Sequence, residues 1–142
     1  MDTEGAGKFR GSPSAYCEFG PIDNCSMKVL YTSDGSINPA KGTRGGQSGG
    51  VSQTFKRELN GSLTELPNCY GVALEPGEMV VSYSAGGGGY GDPKKRALEK
   101  VLDDFREGWV SKERAEKVYG VVIDNEFKVD LEKTEGIRRN IV

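Results

Sequence analysis

The sequence predicts an α+β protein. Residues 1–85 read as an antiparallel β sandwich or partial barrel, and residues 86–142 as a short helical C-terminal extension with a small hairpin. Three observations carry this. Short apolar runs with polar alternation, separated by Gly, Pro and Asn, fill the first part, the pattern of strands joined by turns. Ala97, Leu98, Val101, Leu102 and Phe105 then recur at helical spacing. Between these parts lies Gly86-Gly87-Gly88-Gly89-Tyr90-Gly91-Asp92-Pro93, whose glycines specify unusual backbone or close approach, while Asp92 and Pro93 can cap and open a helix.

The elements follow in order. Ala15 to Phe19 is a short aromatic strand closed by Gly20-Pro21, and Met27 to Thr32 is a second. Residues 33–50 form one long glycine-rich loop, a length usually reserved for binding, partner contact or disorder. Ser52–Leu59 and Ser62–Leu66 flank Asn60-Gly61, which predicts a hairpin with a type I′ turn. Val72–Leu74 and Met79–Tyr83 are strands around the Pro76-Gly77 turn. A helix is expected from Pro93 to about Glu107, stopped by Gly108, and a second, capped by Ser111, from Lys112 to Tyr119. Val121–Ile123 and Phe127–Val129 read as a small hairpin, and Leu131 to Arg139 as a last helix. Trp109 is expected to anchor the helical part to the β part, the alternative being that it faces a partner subunit.

Composition excludes several classes. A net charge of −2 offers no footprint for nucleic acid. No apolar run approaches the roughly 20 residues that span a bilayer, and the acidic start Met-Asp-Thr-Glu-Gly is unlike a signal peptide. A cytoplasmic protein is expected. Cys17, Cys25 and Cys69 are odd in number and far apart, so half-buried thiols are expected rather than disulfides. The chain has no histidine, which removes the commonest general base and metal ligand.

Chemistry-bearing motifs are few. A phosphate loop needs Gly-Lys-Ser/Thr before its helix. Here Asp92 brings negative charge and Pro93 deletes an amide, so a tight backbone crossing is the better reading. In Gly42–Gly50, Arg44 and free amides could hold an anion, or the segment could be a surface loop or interface arm. Asp103 and Asp104 are expected to point outward from their helix, and Asp2 and Glu4 to be too loosely held for a catalytic pair. No residue is assigned a catalytic, cofactor-binding or metal-ligating role.

The run Ala85–Pro93, the segment Val101-Leu102-Asp103-Asp104-Phe105-Arg106-Glu107-Gly108-Trp109-Val110-Ser111 and the segment Ala115-Glu116-Lys117-Val118-Tyr119-Gly120-Val121-Val122 resemble the end of the hydantoinase B / 5-oxoprolinase large-subunit family in order and spacing. Asp2 to Gly11 is similar to that family's glycine-rich Gly-x-Gly-Lys-aromatic-Arg-Gly segment. Members of the family are several times longer. Their metal-binding carboxylates and histidines lie in the part with no counterpart here, so no residue inherits a ligand role.

The resemblance implies a small, non-catalytic structural subunit of an ATP-dependent, biotin-independent ketone carboxylase complex of the acetophenone type. The alternative is the C-terminal domain of an ATP-dependent hydantoinase or 5-oxoprolinase acting on cyclic amides. A blander alternative is a free β-domain binding module. The implied partners are hydantoinase A-type and hydantoinase B-type large subunits, with ATP and a divalent metal on those partners and no cofactor in this chain. A naturally split subunit is expected, with an excised domain as the other possibility.

Overall fold

The computed structural model describes residues 1–139. It is α+β, with antiparallel sheets followed by short helices and no closed barrel. The chain divides into two compact units, neither contiguous in sequence. One comprises Ser14–Pro39 and Val51–Ala85; the other comprises Met1–Pro13, Ala40–Gly50 and the segment from Gly86 onward. The 33–50 loop is therefore two pieces of backbone with different surroundings.

The first unit holds the six strands found among the described residues: β1 (Tyr16–Phe19), β2 (Met27–Thr32), β3 (Gln53–Arg57), β4 (Leu63–Glu65), β5 (Cys69–Leu74) and β6 (Met79–Tyr83). A four-stranded sheet runs β1-β6-β3-β4 and a two-stranded one pairs β2 with β5. The alternating burial of β2 follows the pleat. Val72 and Leu74 of β5 and Val80 of β6 form the buried core, with Met27, Val29, Tyr31 and Leu66 packed against it.

One local expectation in this unit needs correction. The Asn60-Gly61 hairpin exists, pairing Phe55 with Glu65 and Arg57 with Leu63, but its turn is not type I′. Only Gly61 is left-handed, at φ 82°; its N–H donates to the Glu58 carbonyl at 2.8 Å and Glu58 N–H donates to Ser62 O at 2.9 Å. That is a type I turn closed by a glycine bulge, favoured because Asn60 keeps ordinary φ and uses its Oδ1 to accept from Ser62 N–H at 2.9 Å. The strands expected around Pro76-Gly77 are present as β5 and β6, and they belong to different sheets. Gly77, at φ 88°, carries the chain from the β2–β5 ribbon to β6 in the other sheet.

Among the described residues, the second unit contains a single 3₁₀ turn (Pro93–Lys95) and three helices: α1 (Leu98–Arg106), α2 (Lys112–Lys117) and α3 (Leu131–Arg139). The helix expected from Pro93 is thus broken. Asp92 Oδ1 accepts from Lys94 N–H at 2.9 Å and closes a tight turn, after which Arg96 is extended (φ −68°, ψ 138°). Ser111 Oγ caps α2 by accepting from Arg114 N–H at 3.0 Å. The second hairpin reduces to one bridge, Ile123 to Val129. Its turn is organised by Asp124 Oδ1, which accepts from Glu126 and Lys128 N–H. Ala6, Val101, Val110, Ala115, Tyr119, Val121 and Ile123 form the buried core of this unit.

Candidate functional site

Three glycine-rich strips of the second unit are woven together through their backbones. Gly5 N–H donates to Gly87 O, Gly50 N–H to Thr3 O, Gly86 N–H to Gly50 O, Gly87 N–H to Ser12 O and Gly89 N–H to Gln47 O, all between 2.7 and 2.9 Å. The approach is so close that a Cβ on Gly86 would overlap the Thr3 carbonyl oxygen, and one on Gly11 the Gly87 carbonyl. The tetraglycine is therefore a packing device: backbone takes the place of side chains.

Buried ion pairs clamp this lattice to the helices. Glu4 is 1% exposed; its Oε1 accepts from Arg114 Nε at 2.7 Å and from Tyr119 O–H at 2.9 Å. Arg114 also donates to the Glu4 carbonyl at 3.0 Å and to Gln47 Oε1 at 3.4 Å. Burial, then the nearby Glu4 carboxylate, pushes the Tyr119 phenol well above its ordinary value, so it stays a donor. Asp2, expected to be loose, is pinned as well: its Oδ1 accepts from Ser111 N–H at 2.7 Å and its own N–H donates to Trp109 O at 2.8 Å.

Asp104 is the second clamp. It is 3% exposed and accepts from Arg10 Nε at 2.9 Å through Oδ1 and from Arg96 Nε at 3.0 Å through Oδ2. The expectation that both aspartates of α1 face outward holds for Asp103 alone. The break at Arg96 is what allows the guanidinium to turn back onto α1. Trp109, half-exposed, lies under the Arg10 guanidinium at 4.7 Å within its own unit.

On the surface of the lattice, Tyr90 bridges both Phe9 (antiparallel) and Thr43 (parallel). This places the Phe9 and Tyr90 rings 6.3 Å apart. Lys8 Nζ lies 5.6 Å from the Phe9 ring and Arg44 Cζ 5.7 Å from the Tyr90 ring. Arg44 (φ 49°) and Gly45 (φ 90°) are both left-handed in a turn closed by Gly46 N–H on Thr43 O at 2.9 Å, the signature of type I′.

Little here suits catalysis. Asp92 occupies the amide that a phosphate would need and Pro93 supplies none, so the glycine run does not fit a nucleotide. Among the described residues, no group of three or more His, Cys, Asp or Glu is placed to hold a metal ion. On the β2–β5 ribbon, an open depression of about 540 Å³ is lined by Leu30, Tyr31, Thr32, Cys69, Tyr70 and Gly71. Its lining includes no carboxylate or cation, and burial pushes the Tyr31 phenol above its ordinary value. The three cysteines are free and exposed rather than half-buried. Among the described residues, no helix is long and apolar enough to cross a membrane.

Glu4, Arg10, Asp104 and Tyr119 lie within the segments that carry the family resemblance, but their pairing is not legible there; Arg10–Asp104, Glu4–Arg114 and Glu4–Tyr119 lie 94, 110 and 115 residues apart. The glycines were visible signals, but their partners were not.

Comparison with known proteins agrees with this architecture. The chain is 34% identical over 141 residues to the caprolactamase beta subunit of Pseudomonas jessenii, covering 96% of this chain and 24% of that protein. The crystal structure of the ATP-dependent caprolactamase from that organism superposes with a TM-score of 0.75 over 98% of this chain and 24% of its own, at 29% identity. A putative D-/L-hydantoinase of Pseudomonas sp. (strain NS671) has a B-type subunit that is 33% identical over 138 residues, 94% of this chain and 22% of that protein. The acetone carboxylase alpha subunit of Xanthobacter autotrophicus is 37% identical over 68 residues, 45% of this chain and 9% of that protein. The chain thus spans about a quarter of the length of the first two relatives. The Hydantoinase B/oxoprolinase family model matches residues 1–93, and the chain belongs to that family.

Proposed function

We propose that this chain is a non-catalytic structural element of an ATP-dependent complex that opens cyclic amides, acting in the cytoplasm with hydantoinase A-type and hydantoinase B-type large subunits. The observation that carries the reading is the 34% identity to a caprolactamase subunit across 96% of the chain. The geometry supports a bracing role. Glu4 and Asp104, the buried carboxylates of the second unit, are both committed to guanidinium groups, and Asp92 is committed to an amide. In that unit the buried Glu4 and Asp104 carboxylates are thus engaged by cations rather than set opposite a free acid–base partner. ATP and a divalent metal belong, on this reading, to the partner subunits.

A second reading is favoured by one observation, the 37% identity over 68 residues to an acetone carboxylase alpha subunit. On that reading the complex is a biotin-independent ketone carboxylase of the acetophenone type. Both are tested by assembling the chain with the large subunits and measuring ADP release. Stimulation by caprolactam, hydantoin or 5-oxoproline supports the first reading; stimulation by acetophenone or acetone with bicarbonate supports the second. ATPase activity of the chain alone would refute a non-catalytic role.

A further inference from the structure

We infer that the face formed by Lys8, Phe9, Arg44 and Tyr90 is the docking surface through which the chain binds an acidic segment of a large partner subunit, an inference that rests on the function proposed above. Phe9 is 57% and Tyr90 45% exposed, although the bridges on either side of Tyr90 hold the two strips in register. An exposed aromatic pair on a rigid backbone platform presents a large apolar area at little entropic cost, which is why aromatic residues and Arg dominate interface hot spots. The charges point the same way. Among the described residues neither Lys8 nor Arg44 has an ion-pair partner; each lies over an aromatic ring instead. Arg44 is also held in the left-handed region, where a side chain costs about 1 kcal/mol. Strain of that kind persists where the surroundings over-determine it, and it clusters at functional positions.

The chemistry of the occupant follows. Two uncompensated cations beside two rings call for carboxylates next to apolar or aromatic groups. The rings are tilted 50° to each other, so they form no parallel slot for a nucleobase. Their exposure also leaves far too little enclosure for a small ligand, which typically loses about 70–90% of its surface on binding. A protein surface fits better.

The test uses the full chain and its co-expressed hydantoinase A-type and B-type large subunits, with affinity measured by interferometry across a NaCl series. The double variant Lys8→Glu/Arg44→Glu should weaken assembly by about tenfold or more and flatten its salt dependence. Lys100→Glu on the exposed side of α1 should leave both unchanged, and circular dichroism melting should show that all variants are folded. Equal affinity of wild type and double variant would overturn the surface assignment while leaving the proposed function standing. No complex with wild type would overturn the proposed function and this inference with it. Loss of self-association on gel filtration would reassign the face to a second copy of the chain. Loss of inorganic phosphate binding with assembly intact would reassign it to a small anion.

Discussion

Arg114 holds Glu4 at two points, donating Nε to the carboxylate Oε1 at 2.7 Å and a terminal nitrogen to the main-chain carbonyl at 3.0 Å. One side chain of α2 thereby fixes both the charge and the backbone of an N-terminal strip. Glu4 has no solvent to fall back on, because its side chain is wholly buried. Removing the cation alone should therefore cost more than neutralising the carboxylate. Arg114→Ala is expected to destabilise by about 3–5 kcal/mol, and Glu4→Gln, which keeps the Oε1 acceptor, by clearly less. Urea unfolding decides it; similar small losses for both would show that the pair does not clamp the strip.

Adjacent aspartates on α1 give a sharper contrast. Asp104 neutralises Arg10 and Arg96, whereas Asp103 is exposed. Asp104→Asn leaves two largely buried guanidiniums without a counter-charge and should cost about 3–5 kcal/mol. Asp103→Asn should stay within about 0.5 kcal/mol. Equal melting temperatures for the two variants would contradict the structure.

Glycines of one sequence have opposite expected responses. At Gly86 and Gly11 an added methyl meets carbonyl oxygen of a neighbouring strip, backbone that cannot move aside. Either Gly→Ala change should abolish the native fold or cost more than about 4 kcal/mol. Gly136 lies within α3 with nothing within 4 Å of its Cβ position. Gly136→Ala should stabilise by about 0.5–1 kcal/mol through helix propensity. Thermal melts of the three variants measure both signs.

Tyr119 sets a response to alkali. Its phenol titrates higher in the folded protein than its ordinary value of 10.0, because burial and the Glu4 carboxylate disfavour the phenolate. A raised folded-state value means that the stabilisation is fully present below pH 10 and is lost as pH rises above it, since only the unfolded chain then releases the proton readily. Denaturant midpoints should fall above that pH in wild type and fall less steeply in Tyr119→Phe. Parallel profiles would count against a buried, protonated Tyr119.

All three thiols are exposed, at Cys17, Cys25 and Cys69. Each should react with Ellman's reagent without denaturant, giving three equivalents per native chain. A shortfall made up only on unfolding would restore the expectation of half-buried thiols.

Periodicity and turn chemistry made much of the local structure legible. The stripe through Leu98, Val101, Leu102 and Phe105 is α1, Ser111 does cap α2, and α3 runs from Leu131 to Arg139. Such features depend on residues within a few positions of one another, and the chain itself records them. The type I′ expectation failed at Asn60-Gly61 because a competing local bond, Ser62 N–H to Asn60 Oδ1, favours a different turn. It failed on a near-degenerate local choice, not on the hairpin.

The tetraglycine was also conspicuous, along with the absence of any lysine-hydroxyl pair behind it, and its pattern identified the family. What it packs against could not be read along the chain. Gly87 meets Gly5, Gly11 and Ser12 because folding closes loops of more than seventy residues, and glycine carries no side chain to announce a partner. Asp104 looks like Asp103 until Arg10 and Arg96 arrive from elsewhere. Local steric and capping preferences were thus written in the sequence. The strip-to-strip contacts, the burial of charge and the aromatic-cation face came only with the tertiary structure, because each requires groups that are distant in the chain to share one low-dielectric neighbourhood or one surface.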